Sequence, residues 1–329
     1  MYVLGIETSC DETSVAVVAD GSRVLSNAVS SSLKIHKKYG GVVPEIAFRM
    51  QLEAIAPVAQ VALKEAGVNL KRIDLISVTS GPGLSGSLLV GISFAKALSL
   101  SVGIPLLGVN HLYGHIYANF LDAKVARLPF VALVVSGGHT SLFYVRDFDR
   151  IETLGTTQDD ACGEAFDKVA RILKLGYPGG PLIERLAKAG NPGKIKFNCC
   201  GTKQPLDFSF SGIKTAVLYY LNHRPSAIGH RLICDIAASF QETVIDALVR
   251  KSLLASRMKK TDSMVIGGGV VANKRLREKF YQATAQERIK CYFPQPQLCL
   301  DNAAMVAGLG YQLFKKGYRS DLTLSPFAL

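Results

Sequence analysis

The order of strand-like and helix-like segments constrains this chain most, because one arrangement occurs twice. Residues 2–8 and 13–19 are predicted as two strands around a polar turn, and a third strand-like run at 23–31 precedes alternating helices and strands. From residue 130 the same strand–turn–strand pattern occurs again, as an apolar segment, the turn Ser136–Thr140 and a second apolar segment. This repeat of architecture, without repeat of sequence, predicts two α/β lobes facing one another across a ligand-binding cleft.

We place the boundary between the lobes at residue 129. The N-terminal lobe then covers 1–129, and the C-terminal lobe covers 130–329 with a helical insertion at about 160–260. Further strands are predicted at 73–79, 106–109, 263–266 and 289–293. Helices are predicted at 45–66, 84–102, from near 111, and at 164–175, 180–189, 212–221, 231–258, 271–282 and 302–315.

Composition excludes several classes of protein. Of the 329 residues, 48% are hydrophobic and 19% charged, which is typical of a globular protein with a large core and not of a disordered one. No uninterrupted apolar run reaches the roughly 18 residues that a membrane span needs. The N-terminus enters a strand without a leader, and the seven cysteines form no CxxC pair, while the adjacent pair Cys199–Cys200 is poorly placed to bridge. We expect a soluble protein of the reducing cytoplasm.

The formal charge of +12 favours a polyanionic partner such as nucleic acid. The alternative is a set of solvated helix faces, since many soluble proteins carry such charges for solubility. Much of the surplus lies in three groups: Lys34, Lys37 and Lys38; Arg250, Lys251, Arg257, Lys259 and Lys260; and Lys274, Arg275, Arg277 and Lys279.

Three turns could present backbone amides to an anion. They lie at residues 8–12, 136–140 and 267–269, at a hairpin tip or at a strand end. Any tight turn uses glycine, so each turn alone is weak evidence. Two of them occupy matching points of the two repeats, which favours a phosphorylated ligand.

His111 and His115 stand at i and i+4, so on a helix they share one face and could hold one metal ion. The alternative is a pair of packing histidines. A zinc-peptidase site of the HExxH kind would need a glutamate beside the first histidine, but Leu112 occupies that position and the general base is missing. Asp301 and Asn273 could each simply cap the helix that follows, and Asp167 could be a solvent-facing helix charge.

Nine motifs stand in order along almost the whole chain. They lie at residues 5–13 (GIETSCDET), 40–45 (GGVVPE), 80–84 (SGPGL), 111–115 (HLYGH), 135–140 (VSGGHT), 164–168 (EAFDK), 177–181 (YPGGP), 207–212 (DFSFSG) and 267–273 (GGGVVAN). Together they resemble the universal tRNA threonylcarbamoyladenosine transferase family, in particular its bacterial TsaD branch.

The resemblance implies an α/β, two-lobed actin-like or sugar-kinase-like (ASKHA) fold with duplicated RNase H-like lobes. It implies transfer of a threonylcarbamoyl group from threonylcarbamoyl-AMP to the exocyclic amine of the adenosine 3′ of the anticodon, in tRNAs reading ANN codons. One divalent metal per subunit, iron or zinc, would be held by His111, His115 and Asp301. An ATP- or AMP-type nucleotide in the cleft would contact Val134, Val135, Ser136, Gly137, Gly138, Asp167, Gly180, Asn273 and, as a weaker match, Glu184.

The resemblance also implies partners: tRNA, a TsaB-like paralogue of the same fold and a small TsaE-like ATPase, with a homodimer as the alternative. Because the first hairpin tip should face the cleft, we expect Asp11 or Glu12 to accept or position the proton of the attacking amine. Two other function classes use the same fold: a small-molecule kinase, and an ATP-gated binding protein. A small-molecule kinase has no evident need for the metal residues or the positive charge, and a pure binding protein would show no turnover of threonylcarbamoyl-AMP with unmodified tRNA.

Overall fold

The computed structural model of the chain describes residues 1–122, 126–199, 201–223 and 229–327. They form two compact units, one of residues 1–125 and 294–329 and the other of residues 126–293. Each unit is built on one five-stranded sheet. Cys200, half of the adjacent cysteine pair, lies outside the described residues, and the six cysteines within them are free.

The first sheet contains β1 (Tyr2–Glu7), β2 (Glu12–Ala19), β3 (Arg23–Ser31), β4 (Leu75–Gly81) and β5 (Leu106–Asn110), in the order β3-β2-β1-β4-β5. The first three strands are antiparallel, whereas β4 and β5 run parallel to β1. Because parallel neighbours end at the same edge, the C-terminal ends of β1, β4 and β5 lie side by side. The predicted opening hairpin is confirmed, with Glu7 opposite Ser14.

The helices of the first unit are α1 (Leu33–His36), α2 (Pro44–Ala66), α3 (Ser85–Val102), α4 (His111–Tyr117) and α10 (Ala303–Lys315). Helix α2 packs on β2 and β3, and α3 packs on β4. By length and composition alone, both could cross a membrane. Apolar helices packed against the sheet of an α/β unit have the same composition, and α2 and α3 bury residues such as Ile55 and Ile92 in the core of the first unit.

The second sheet repeats the topology of the first. Its strands are β6 (Phe130–Val135), β7 (Thr140–Asp147), β8 (Arg150–Thr156), β9 (Ser263–Gly267) and β10 (Lys290–Tyr292), in the order β10-β9-β6-β7-β8. Again three antiparallel strands are followed by two parallel ones. The helices are α5 (Cys162–Ile172), α6 (Gly179–Ala187), α7 (Ser211–Asn222), α8 (His230–Lys259) and α9 (Lys274–Gln286).

The structure corrects three predictions. Residues 294–329 were assigned to the C-terminal lobe, but they belong to the first unit because α10 packs on β1, β2 and β4. Strand β8 was missed, since Arg150–Thr156 has mostly exposed or half-buried residues and lacks a long apolar run. The helix predicted at 271–282 is α9, which begins later, at Lys274, because a 3₁₀ turn occupies Gly269–Ala272.

Candidate metal centre and nucleotide-binding loops

Helix α4 presents two histidines at the end of β5. Asn110 caps the helix, its Oδ1 accepting from the backbone N–H groups of Leu112 at 2.8 Å and Tyr113 at 3.2 Å. His111 and His115 therefore lie one turn apart on the same face, with ring centroids 4.6 Å apart. Both side chains are buried.

Asp301 completes a triad with these histidines. Its Oδ1 lies 3.0 Å from His115 Nε2 and 3.7 Å from His111 Nε2. One ligand atom from each residue lies within 4.8 Å of the other two. The cap of α10 is the neighbouring Asn302, whose Oδ1 accepts from Met305 N–H at 3.0 Å, so the capping role considered for Asp301 belongs to Asn302.

The donor atoms fit a divalent transition metal. His115 is fully buried; within the described part of the chain its Nδ1 has no hydrogen-bond partner, and its Nε2 faces Asp301 Oδ1 at 3.0 Å without hydrogen-bond geometry. Buried polar atoms are rarely left unpaired, because desolvation is costly. Two imidazole nitrogens and one carboxylate oxygen form a donor set that suits zinc or iron. A shared ion would satisfy His115 where no hydrogen bond does.

Behind the triad lies Glu7, at the end of β1 and 0% exposed. Its Oε2 is 3.0 Å from His111 Nδ1 and accepts from Thr79 Oγ1 at 2.6 Å, while its Oε1 accepts from Ser9 N–H at 2.5 Å. Burial lowers the pKa of His111, but the charges of Glu7 and Asp301 outweigh it and raise the pKa to about 9. Burial raises the pKa of Glu7, and the charge of His111 reverses this to a net lowering.

The two carboxyl groups of the first hairpin tip differ in their settings. Asp11 is buried, and its backbone carbonyl accepts from Ser32 Oγ at 2.7 Å. Glu12 starts β2 and accepts from Ser31 Oγ at 3.2 Å. Burial, then the negative charges of Asp301 and Asp11, raise the pKa of Glu12 to about 9. The charge of Asp301 therefore acts on Glu12, which links this carboxyl group electrostatically to the triad.

The turn between β6 and β7 is tight and open on its outer side. Ser136 N–H donates to the His139 carbonyl at 2.8 Å, and His139 N–H donates back to Ser136 Oγ at 3.1 Å. A Cβ added to Gly137 or Gly138 would meet nothing within 4 Å. The fold itself does not require glycine at these two positions. The absence of a side chain there instead favours close approach of a ligand to the backbone.

The glycine after β9 lies against this turn. Gly268 has φ +97°, and a Cβ there would lie 2.4 Å from the Val135 carbonyl oxygen. The side chains of Val134 and Val135 are fully buried in the sheet core. Only their backbone atoms could meet a ligand, which limits the role that the sequence predicted for them.

Helix α6 links the remaining candidate residues. Asp167 Oδ1 accepts from Gly179 N–H at 2.6 Å, which places this carboxylate at the start of α6, beside Gly180. Burial raises the pKa of Asp167. One turn further along, Glu184 Oε1 accepts from Lys274 N–H at 3.0 Å. Asn273 caps α9, as considered from the sequence, and its Nδ2 donates to Gln241 Oε1 at 2.8 Å.

A pocket of about 170 Å³ lies between α6, α8 and α9. Glu184, Gln241 and Lys274 line it, with Arg275 and Glu242 paired at 2.8 Å on its wall. The structure therefore groups the predicted nucleotide residues of the second unit in three neighbouring places: the β6–β7 turn, the start of α6 and the start of α9.

Residues 23–308 match the model of the tRNA N6-adenosine threonylcarbamoyltransferase family, TsaD. The chain belongs to this family. The protein of that name from Symbiobacterium thermophilum is 53% identical over 98% of this chain and 94% of its own length. The one from Thermosipho africanus is 52% identical over 98% of both chains. The predicted family and enzyme class, a transferase of tRNA modification, are thereby confirmed.

Solved structures confirm the predicted ASKHA-type fold. HypF from T. kodakarensis superposes with a TM-score of 0.64 at 14% identity, over 96% of this chain and 48% of the other. The activator of 2-hydroxyisocaproyl-CoA dehydratase from Clostridium difficile, solved with bound ADPNP, gives a TM-score of 0.52 at 14% identity over 98% and 99%. At such low identity the likeness shows the fold alone.

Sequence reasoning missed two side chains of these sites. Glu7 was quoted only as part of a motif, although a glutamate that follows the apolar run Val3–Ile6 is itself a signal of a paired buried charge. Gln241 lies within a long helix and carries no sequence signal. Its position in the pocket wall, in contact with Asn273, is visible only in the tertiary structure.

We predict that the double variant His111→Ala/His115→Ala loses its bound metal completely, because the lost interactions are direct ligand bonds. Elemental analysis of the purified protein measures the stoichiometry. The matched control is His223→Ala/His230→Ala, which removes two exposed imidazoles from the second unit. Full metal content in the first double variant would contradict the assignment.

We predict that Gly137→Val folds normally but weakens nucleotide binding at least tenfold. The turn has room for a side chain, whereas a ligand that approaches the backbone does not. Calorimetric titration with ATP and AMP measures the effect. Gly193→Val is the control, since the nearest atom to its Cβ would be 3.5 Å away in an exposed loop. Nucleotide affinity equal to wild type would refute a contact at Gly137.

Proposed function

We propose that this chain transfers the threonylcarbamoyl group from threonylcarbamoyl-AMP to N6 of the adenosine 3′ of the anticodon, in tRNAs that read ANN codons. Family membership over residues 23–308 carries the proposal. The bond from N6 to the carbamoyl carbon forms, the carbon–oxygen bond to phosphate breaks, and AMP leaves with the electron pair. The amine proton passes to a base.

The chemistry needs activation and charge stabilisation. The lone pair of the adenine amine is delocalised into the ring, so the acyl donor must be activated, and a mixed anhydride with AMP meets this need. Its developing oxyanion requires positioned positive charge or hydrogen-bond donors. A divalent ion, iron or zinc, bound by His111, His115 and Asp301, would supply Lewis acidity.

Glu12 is our candidate for the proton acceptor, with Asp11 as the alternative. The raised pKa of Glu12 makes its carboxylate a strong base once it is ionised. The charge of Asp301 is one cause of that raised pKa. When a cation offsets the charge of Asp301, Glu12 would ionise more readily and could take the proton.

The adenylate of the donor would bind the second unit. Gly137 and Gly138 would give backbone N–H groups to phosphate oxygens beside Ser136, and Gly268 lies against the same turn. Asp167 and Gly180 at the start of α6, and the pocket beside Glu184 and Asn273, would hold the nucleoside.

A small-molecule kinase and an ATP-gated binding protein remain the alternatives. The fold is compatible with both, but neither explains the buried cluster of His111, His115 and Asp301. We further propose cytoplasmic action together with a TsaB-like paralogue and a TsaE-like small ATPase. A self-sufficient homodimer is the competing arrangement.

We expect sustained transfer from threonylcarbamoyl-AMP to unmodified tRNA when both partners are present, and at most a single turnover by the isolated chain. Glu12→Gln should slow transfer at least a hundredfold while metal content stays at wild type, because proton transfer is lost. Asp11→Asn is the matched change at the neighbouring position. Absence of transfer in every mixture would overturn the proposed function, and multiple turnover by the isolated chain would overturn the need for partners.

Contacts to tRNA phosphates would come from basic residues without acidic partners. Of the candidates Arg250, Lys251, Lys274, Arg275 and Arg277, Arg275 pairs with Glu242, and Arg277 Nε donates to the Val271 carbonyl at 2.7 Å. Arg250 and Lys251 line a pocket of about 380 Å³ whose wall contains no acidic residue. Lys251 Nζ donates to Thr202 Oγ1 at 3.1 Å, and burial lowers the pKa of its ammonium. This local positive charge supports the part of α8 that carries Arg250 and Lys251 as a phosphate contact.

We predict that tRNA affinity falls steeply with salt and that Arg250→Gln reduces the log–log slope by about 0.7–0.9, the value for one phosphate contact. Arg257→Gln is the control: it lies on the same helix and loses the same charge, but its guanidinium is paired with Glu287. Filter binding over a salt series measures both slopes. Equal slopes for the two variants would remove Arg250 as a contact, and salt-independent binding would remove the electrostatic model.

A further inference from the structure

We propose that Glu7 is a positioning residue that fixes the ring orientation and tautomer of His111, so that Nε2 faces Asp301 as the ligating nitrogen. The inference deepens the proposed function and rests on its metal site. It is carried by the hydrogen bonds around one buried carboxylate at the end of β1.

The two ring nitrogens of His111 have different surroundings. Nδ1 lies 3.0 Å from Glu7 Oε2 and 3.1 Å from the Ser9 hydroxyl, which can accept as well as donate, and Nε2 lies 3.7 Å from Asp301 Oδ1. An ionised carboxylate can only accept, so Nδ1 must carry the proton. When Nε2 is deprotonated, as a metal-ligating imidazole nitrogen must be, its lone pair is directed to the side of Asp301. Histidine ligands of metals commonly donate their other N–H to such a carboxylate, which fixes the tautomer and raises the basicity of the ligand.

Glu7 is itself held rigidly. Ser9 N–H donates to Oε1 at 2.5 Å, and Thr79 Oγ1 donates to Oε2 at 2.6 Å. Thr79 lies on β4, beside β1 in the sheet. The carboxylate is thus held by the neighbouring strand β4 and by the turn that follows β1. A side chain tied in this way can orient an imidazole, because its own rotamer is fixed.

A glutamine cannot reproduce this arrangement. If its amide NH₂ took the place of Oε1, it would meet the N–H of Ser9, which is also a donor. If the NH₂ took the place of Oε2, it would donate to His111 Nδ1 and drive the proton to Nε2, the nitrogen needed for the metal. Either orientation weakens the site while the shape of the side chain stays nearly constant.

His115 provides an internal contrast. Its Nδ1 is buried and lacks a hydrogen-bond partner among the residues that the structure describes. Of the two histidines, His111 is therefore the one whose Nδ1 faces a carboxylate.

The test measures metal affinity directly, without the transfer reaction. Zinc is titrated into chelator-stripped protein against a competing chelator of known affinity. We expect Glu7→Gln to weaken zinc binding 10–100-fold. In ¹⁵N NMR spectra of the zinc-loaded wild type, we expect His111 to be protonated at Nδ1 and coordinated through Nε2. Coordination through Nδ1 would overturn the proposal.

Two further variants separate positioning from folding. Asp235→Asn alters another buried carboxylate, which accepts from Asn191 N–H at 2.8 Å in the second unit, and should leave zinc affinity unchanged. Thr79→Val keeps Glu7 but removes one of its hydrogen bonds, and should weaken zinc binding by a few-fold. Wild-type zinc affinity in a folded Glu7→Gln variant overturns the proposal. If Glu7→Gln does not fold, Thr79→Val is the deciding variant, and wild-type zinc affinity in that variant overturns the proposal.

The outcome is separable from that of the proposed function. If His111→Ala/His115→Ala retains zinc, the metal site itself is wrong. If that variant loses zinc while Glu7→Gln binds it as wild type does, only the role of Glu7 fails.

Discussion

The burial of the Glu7–His111 pair is the interaction on which the rest of the first unit depends. A carboxylate removed from water is tolerated only when it is paired and hydrogen-bonded, and here Thr79, Ser9 and His111 meet that condition together. They do so because β1, β4 and β5 end at the same edge of the sheet. Displacing any of these strands would leave a charge buried without a partner.

Asp301 reaches the same place because α10 crosses β1 closely. A Cβ on Gly5 would lie 2.1 Å from the Ala303 carbonyl oxygen, so only glycine allows this approach. The backbone N–H of Ala303 also donates to Ser14 Oγ at 2.9 Å. The last helix of the chain is thus fixed on its first hairpin, which explains why residues 294–329 belong to the first unit.

The two sheets share one topology but carry different chemistry at matching turns. In the first unit the β1–β2 turn contains Asp11 and Glu12 and lies by the triad, which suits a cation. In the second unit the β6–β7 turn contains Gly137 and Gly138 and presents bare backbone, which suits an anion. The same topology therefore carries two turns of opposite electrostatic character, one suited to a cation and the other to an anion.

The net charge of +12 is distributed unevenly, because some of the basic residues are paired with carboxylates and others are not. Arg257, Arg275 and Lys279 lie beside carboxylates, and their charges are largely offset. Arg250 and Lys251 line a pocket without an acidic residue in its wall. Composition predicts that the partner is negatively charged, and ion pairing decides which basic side chains remain available to bind it.

The sequence by itself determined the repeated strand and helix order, the helical spacing of His111 and His115, and the family. These depend on periodicity and on motifs that are local in the chain. The tertiary structure decided what depends on distant contacts: that α10 packs on β1, that Asn302 and not Asp301 caps that helix, and that Val134 and Val135 offer only backbone. It also decided that Glu7, 104 residues before His111, holds its ring. A hydrogen bond across that separation produces no periodic pattern in the sequence, because its two partners are brought together by strand pairing and not by closeness along the chain.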